Sequence, residues 1–229
     1  MRFDFDSVMK FPQTFVFIVF KDISAFMDLL QQATMDIIEA GQWIASRHWC
    51  PATGGNFSRR LSAQKLLMTA SARDKGNLTA ADLLQVNLQG EAIDSELKPS
   101  AETLLHAALY QLNADIGAVL HTHSIAATVL SRLTPDAWLT LQGYEMQKSL
   151  SGVQTHDQAV QIAIFENNQN MQQLADQVRN RWSQQSLHWG LLVRAHGLYA
   201  WGKDMTEARR HLEGLEFLLA CELEMRRLQ

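Results

Sequence analysis

The sequence predicts a single α/β or α+β domain in which helices cover a central sheet. Short strand-like apolar runs alternate with segments of helical period along the chain. Its 229 residues are 47% hydrophobic and 19% charged, enough apolar material for one sizeable core. Only four prolines interrupt it, and no linker, repeat or low-complexity tract divides it. A disordered chain would need the opposite balance of charge and hydrophobicity.

From Asp28 to Ile44, Leu30, Ala33, Ile37 and Ile44 recur at helical spacing, which predicts an amphipathic helix. The following CPATGGNFS reads as a turn, punctuated by Pro51, Gly54 and Gly55. Strands are expected near Phe57–Leu61 and Lys65–Thr69. After Pro99, SAETLLHAALYQL is expected to form a helix with Ser100 as its N-cap. Ile116–Leu120 reads as a buried strand leading into His121-Thr122-His123, with Ser124 capping the next helix. Further strands are expected at Leu139–Leu141 and Leu187–Val193, the latter ending in Arg194-Ala195-His196-Gly197. A long helix from about Met205 to Leu228 closes the chain, with Asp204 and Glu207 spaced as a capping box.

The 20 basic and 24 acidic residues give a net charge of −4, and Lys and Arg are scattered rather than gathered in a stripe. A nucleic-acid partner is therefore not expected. Cys50 and Cys221 form neither a CxxC pair nor a disulfide framework and read as free thiols of a reducing, cytoplasmic compartment. The apolar run Phe11–Phe20 is about half the roughly 20 residues of a membrane span. Asp4, Asp6 and Asp22 around it are unlike the flanks of a signal peptide. Residues 1–26 are expected to be an extension outside the fold, and residues 27–229 the catalytic domain.

Of the eight histidines, His48, His106, His156, His188 and His211 each stand alone and read as surface or core residues. His121 and His123 differ. Alternate residues of an extended segment face the same side, so the pair can present two imidazoles to one ion. Many HxH pairs bind nothing, and spacing leaves both readings open. His196, also at a strand end, would complete the three imidazoles of a catalytic zinc site. Two carboxylates are candidate bases. Glu145 lies in GYEMQ, where the bland reading is an exposed loop acid. For Glu102 it is a first-turn carboxylate favoured by the helix dipole. Gly54 and Gly55 permit close backbone approach, and successive N–H groups there can form a nest for an anion. Asn56 follows the nest. Ser71 and Ser100 can add hydroxyl donors, with Lys75 nearby as a charge. The Lys-Ser/Thr ending of a P-loop and the GxSxG elbow are both absent.

TGGNFS at 53–58, Thr69-Ala70-Ser71, KPSAETLLHAALY at 98–110, GAVLHTHS at 117–124 and RAHGLYAWG at 194–202 resemble the class II aldolase/adducin family. GYEMQKSLSG at 143–152 and HGLYAWGKDMTEARRHLEGLEFL at 196–218 are most similar to a dehydratase branch of methionine salvage. The resemblance implies a three-layer α/β/α fold around a mixed, largely antiparallel sheet, and one zinc per subunit on His121, His123 and His196. It also implies a phosphate pocket at Gly54, Gly55, Asn56, Ser71 and Ser100, and a homotetramer with sites near subunit interfaces. Ala72 departs from the pattern, since relatives often carry glycine there.

The reaction implied is loss of water from the phosphorylated ketopentose 5-methylthioribulose 1-phosphate, giving 5-methylthio-2,3-dioxopentyl phosphate. Glu145 would move the proton and Glu102 would be a pocket contact. The same zinc would serve an aldolase or epimerase with Glu102 as acid/base. A non-catalytic binding module, as in the adducin branch, is disfavoured because all three histidines are present.

Overall fold

The computed structural model describes the backbone of residues 13–229 and the side chains of residues 24–229. Nine strands form one sheet in the order β4-β3-β2-β1-β5-β9-β8-β7-β6. In chain order they are β1 (Asn56–Arg60), β2 (Lys65–Thr69), β3 (Leu83–Asn87), β4 (Ala92–Ile93), β5 (Ala118–Thr122), β6 (Trp138–Leu141), β7 (Val160–Phe165), β8 (Gly190–Val193) and β9 (Gly197–Gly202). Only the β7–β8 pair is parallel, so the sheet is mixed and largely antiparallel as the family pattern implies.

Among the described residues five α-helices cover it: α1 (Gln13–Ser46), α2 (Thr103–Leu112), α3 (Ile125–Leu133), α4 (Met171–Gln184) and α5 (Met205–Arg227). The strands are apolar at nearly every central position because both faces are buried. On one face Leu120, Leu192, Leu198 and Ala200 pack with Ile37 and Ile44 of α1, Leu130 of α3 and Leu212, Leu215 and Leu219 of α5. On the other, Val119, Leu191, Tyr199 and Trp201 pack with Leu105 and Leu109 of α2 and Leu174 and Val178 of α4. Each such leucine, fully buried, contributes roughly 2 kcal/mol. The two-residue period of β5 and β9 thus decides which side chains meet which helix layer.

Several expected boundaries change. Helix α1 begins at Gln13, well before Asp28. The N-cap of α2 is Glu102, not Ser100, although the Ser100 hydroxyl still accepts from the Glu102 amide at 3.3 Å. Ser124 does cap α3, its hydroxyl accepting from Ala127 N–H at 3.1 Å. Asp204 caps α5 by accepting from Glu207 N–H at 2.8 Å. The Glu207 carboxylate reaches Lys203 N–H instead of closing a box on Asp204. The cysteines are free, as expected, and partly buried.

Ala72 takes φ +58°, the left-handed region that favours glycine, the residue the family pattern leads one to expect there. No described helix is long and apolar enough to cross a membrane. The expected extension, residues 1–26, lies in part outside the described residues. At its end Phe26, itself within α1, packs against the core and receives the Lys65 ammonium over its ring at 5.9 Å. Its loss costs at most a partly buried contact, because Ala33, Ile37, Ala40 and Ile44 anchor the helix fully. A chain beginning at Met27 is therefore expected to unfold cooperatively, close to the melting temperature of the full chain, and to retain activity. A collapse of the thermal transition or of turnover would place the domain boundary further upstream.

Candidate metal centre

Three imidazoles converge at the centre of the sheet. β5 lies between β1 and β9, with Asn56 opposite His121 on one side and Tyr199 opposite it on the other. That register sets His121 on the face toward α2. His123 follows just past the strand end, and its backbone N–H donates to the Trp49 carbonyl at 2.7 Å. His196 sits in the tight turn between β8 and β9. The three Nε2 atoms lie 2.9 Å (His121–His123), 3.0 Å (His123–His196) and 3.3 Å (His121–His196) apart.

The ring of His121 is fixed from both sides. Its Nδ1 donates to the Leu198 carbonyl at 2.9 Å, and Tyr199 stacks on its face at 3.8 Å. With the proton on Nδ1, Nε2 presents a bare lone pair to the cluster. Lone pairs packed this closely repel one another unless a cation stands among them. Three nitrogens at about 2.0–2.1 Å from a tetrahedral ion would be about 3.3 Å apart, close to the spacing observed. The donor set therefore fits a divalent metal.

Glu102 stands closer to the imidazoles than a first-turn acid need. Its carboxylate joins the cluster, with Oε1 at 2.9 Å from His196 Nε2 and Oε2 at 3.5 Å from His121 Nε2. Asn56 donates its amide to the same carboxylate and, at 3.2 Å, to the Ser100 hydroxyl. Burial raises the Glu102 carboxyl, but where His121 and His196 carry a proton toward it they outweigh burial and hold the group below the usual carboxylate range. The helix dipole explains why an acid suits this position. Its closeness to the histidines comes from the placing of the α2 start beside β1, where the Asn56 amide holds the carboxylate.

The glycine turn serves the cluster directly. A Cβ on Gly54 would lie 2.6 Å from His123 Nδ1, and one on Gly55, at φ +79°, 2.5 Å from the His121 carbonyl. Only glycines let the turn approach the histidine-bearing strand so closely. The Gly54 N–H is already donated to the Pro51 carbonyl at 2.9 Å, so the expected nest has one fewer donor than its sequence suggests. Ser71 lies beside the same corner, its N–H bonded to the Lys98 carbonyl and Ala70 bridged to Pro99. Asn56, Ser71, Ser100 and Glu102 are thus gathered within a few short segments.

Glu145 is not in this group. It opens the turn Glu145–Ser149, is 74% exposed, and pairs with Lys148 at 2.6 Å and His156 at 3.7 Å. His106 follows its bland reading: it is fully buried, 2.7 Å from the Ser58 hydroxyl, and burial lowers its pKa to about 3. His211 likewise bonds the Trp201 carbonyl at 2.7 Å and the Ser151 hydroxyl at 2.9 Å.

Behind the cluster, Thr122 turns to the opposite face and donates to the buried Glu216 of α5 at 2.7 Å. No sequence signal set this acid apart from the charged face of a long helix.

Residues 35–223 match the class II aldolase and adducin N-terminal domain. The chain is 53% identical over 193 residues to the methylthioribulose-1-phosphate dehydratase of Serratia proteamaculans (strain 568), covering 84% of this chain and 95% of that protein. It is also 53% identical to the enzyme of that name from Pectobacterium carotovorum subsp. carotovorum (strain PC1), over 87% and 97% of the two chains. Among solved structures, an L-fuculose 1-phosphate aldolase superposes with a TM-score of 0.71 at 20% identity, over 86% and 87% of the chains. The L-fuculose-1-phosphate aldolase of Thermus thermophilus superposes with a TM-score of 0.68 at 24% identity, over 87% and 96%. These two likenesses carry the fold.

Burial pushes the Glu216 carboxyl up to about 7, against the opposing hydrogen bonds of Ser124 and Thr122. A folded pKa above the ordinary 4.5 means that ionisation works against the fold. Stability is therefore expected to fall as pH rises from about 4.5 to about 7 through this group. Glu216→Gln should remove that slope in urea melts and be more stable than the parent at pH 8, by roughly 1–3 kcal/mol. An unchanged slope in the variant would assign the pH dependence elsewhere.

Proposed function

The chain belongs to the class II aldolase and adducin family, and from that premise we propose that it is a hydro-lyase that dehydrates 5-methylthioribulose 1-phosphate. The observation that carries the substrate is the 53% identity, over nearly the whole domain, to enzymes named for this reaction. Convergence of His121, His123, His196 and Glu102 supports a metal-dependent lyase.

The imidazoles of His121, His123 and His196 would hold zinc, with the Glu102 carboxylate as a contact beside it. Nitrogen donors with one carboxylate suit it better than they suit magnesium or calcium, which prefer oxygen. When bound, zinc supplies a Lewis acid for the C2 carbonyl oxygen, lowering the cost of negative charge there. The chain's own groups do the rest. Gly54, Gly55, Asn56, Ser71 and Ser100 seat the phosphate and fix C3 and C4 relative to the cluster. Asn56 also orients Glu102 through its amide. A carboxylate takes the C3 proton, the C4 hydroxyl departs as water once protonated, and the resulting enol tautomerises to the 2,3-dioxo product.

Glu145 is the proton-transfer group on this reading, with Glu102 secondary. Its 74% exposure in a single chain gives it no enclosed site of its own. The role requires assembly, and a homotetramer with sites near its interfaces would exclude water around this carboxylate. A second reading has a specific observation behind it. Glu102, not Glu145, stands within hydrogen-bond distance of the histidines, as an aldolase or epimerase with Glu102 as acid/base would need.

Incubation with methylthioribulose 1-phosphate separates the two, because product masses distinguish water loss from carbon–carbon cleavage. Positioned proton transfer is worth about 10²–10⁴-fold in rate. Glu145→Gln is expected to lower turnover by about that factor with zinc retained, and Glu102→Gln to cost less. The reverse ranking would move the aldolase-like reading ahead. His123→Ala should lose most of its zinc by metal analysis while remaining folded, and full occupancy would sink the ligand assignment.

A further inference from the structure

Beneath the glycine turn lies a buried cation that the mechanism does not use. Lys75 is 2% exposed, and its ammonium donates to the Thr53 carbonyl at 2.8 Å and the Arg73 carbonyl at 2.6 Å. Among the described residues no carboxylate pairs with it. The neighbouring Asp74 is committed to its own turn, accepting from Gly76 N–H at 3.0 Å and from Asn77 at 2.7 Å. Lys75 cannot retreat, because the turn that carries it is pressed on α1: a Cβ on Gly41 would lie 2.4 Å from the Lys75 carbonyl. The segment it grips is itself unusual, with Ala52 at φ +50° and Thr53 at φ +64°. Consecutive left-handed residues other than glycine persist only where surrounding contacts hold them.

An unpaired buried ammonium is costly to keep, and carbonyl dipoles compensate it only in part. Burial lowers its pKa, and its field reaches Glu102 and His123. The chain is net negative, and Glu102 adds an anion beside the proposed phosphate seat. A phosphate there needs a compensating cation, and Lys75 is a fixed one directly under the turn.

We propose that Lys75 is a positioning residue for the substrate's phosphate: it pins the Thr53 carbonyl inward, so that the Gly54-Gly55-Asn56 turn faces the anion, and supplies the balancing positive charge. The proposal rests on the reading that a phosphorylated substrate is seated at this turn.

Lys75→Gln in the zinc-loaded full chain removes the charge and keeps amide donors for the two carbonyls. Loss of one unit charge near a partly buried anion is expected to raise KM for methylthioribulose 1-phosphate, and the inhibition constant of inorganic phosphate, by about tenfold. The kcat should stay within about threefold, since binding common to ground and transition states is what is lost. Zinc content should be full, and Lys75→Arg should restore most of the affinity. If the Gln variant does not fold, Lys75→Met, an apolar side chain of similar length, serves in its place. A variant with a lower melting temperature or kcat but unchanged KM and phosphate inhibition would overturn the proposal and leave Lys75 a strut. Absence of both turnover and phosphate inhibition in the parent protein would remove the underlying reading instead, and this proposal with it.

Discussion

The pairing of β5 with β1 on one side and β9 on the other is the constraint on which the rest depends. It sets His121 opposite both Asn56 and Tyr199, and it brings the β8–β9 turn with His196 alongside. A slip of one residue in either register would exchange the two faces of the strand. His121 would then point toward α5 and Thr122 toward α2, and the three lone pairs would no longer meet. Burial of Leu120, Val119, Leu198 and Tyr199 in two separate cores is what forbids the slip. Apolar packing therefore aligns a polar site.

Charge is arranged around that site in layers. The innermost is Glu102 among the imidazoles, with Asn56 orienting its carboxylate. Lys75 lies beneath the glycine turn, and Glu216 lies behind the strand on the far face. Glu216 and Lys75 are both buried, and each is held by neutral partners rather than by an opposite charge. Such groups weaken the fold and persist where they serve a site. The strained backbone at Ala52 and Thr53 follows the same logic, since it leads into a turn that sits against His123.

Much of this is legible in the residues. The period of α1, the turn at Gly54-Gly55, the cap at Ser124 and the HxH at the end of an apolar strand follow from local rules, and the structure keeps them. Strands β3, β7 and β9 are not evident in the sequence. β9 is six residues bounded by glycines, directly after a turn, and only its pairing with β5 and β8 makes it a strand. Helix α4 is mostly polar, with Leu174, Ala175 and Val178 as its only buried residues, so its period is weak. The role of Glu102 is hidden for a related reason. Its sequence neighbourhood says helix start, and its closeness to the histidines comes entirely from long-range pairing. Glu145 shows the converse: its motif marks it as a candidate base, and in the single chain it is an exposed turn acid paired with Lys148.

At this register three imidazoles are poised to hold one metal. X-ray absorption at the metal edge of the purified protein tests it most directly, because it reads the ligands around the ion without reference to activity. Zinc is expected there with three imidazole nitrogens at about 2.0–2.1 Å and an oxygen as a further ligand. A set of ligands containing sulfur from Cys50, or fewer than three imidazoles, would contradict it.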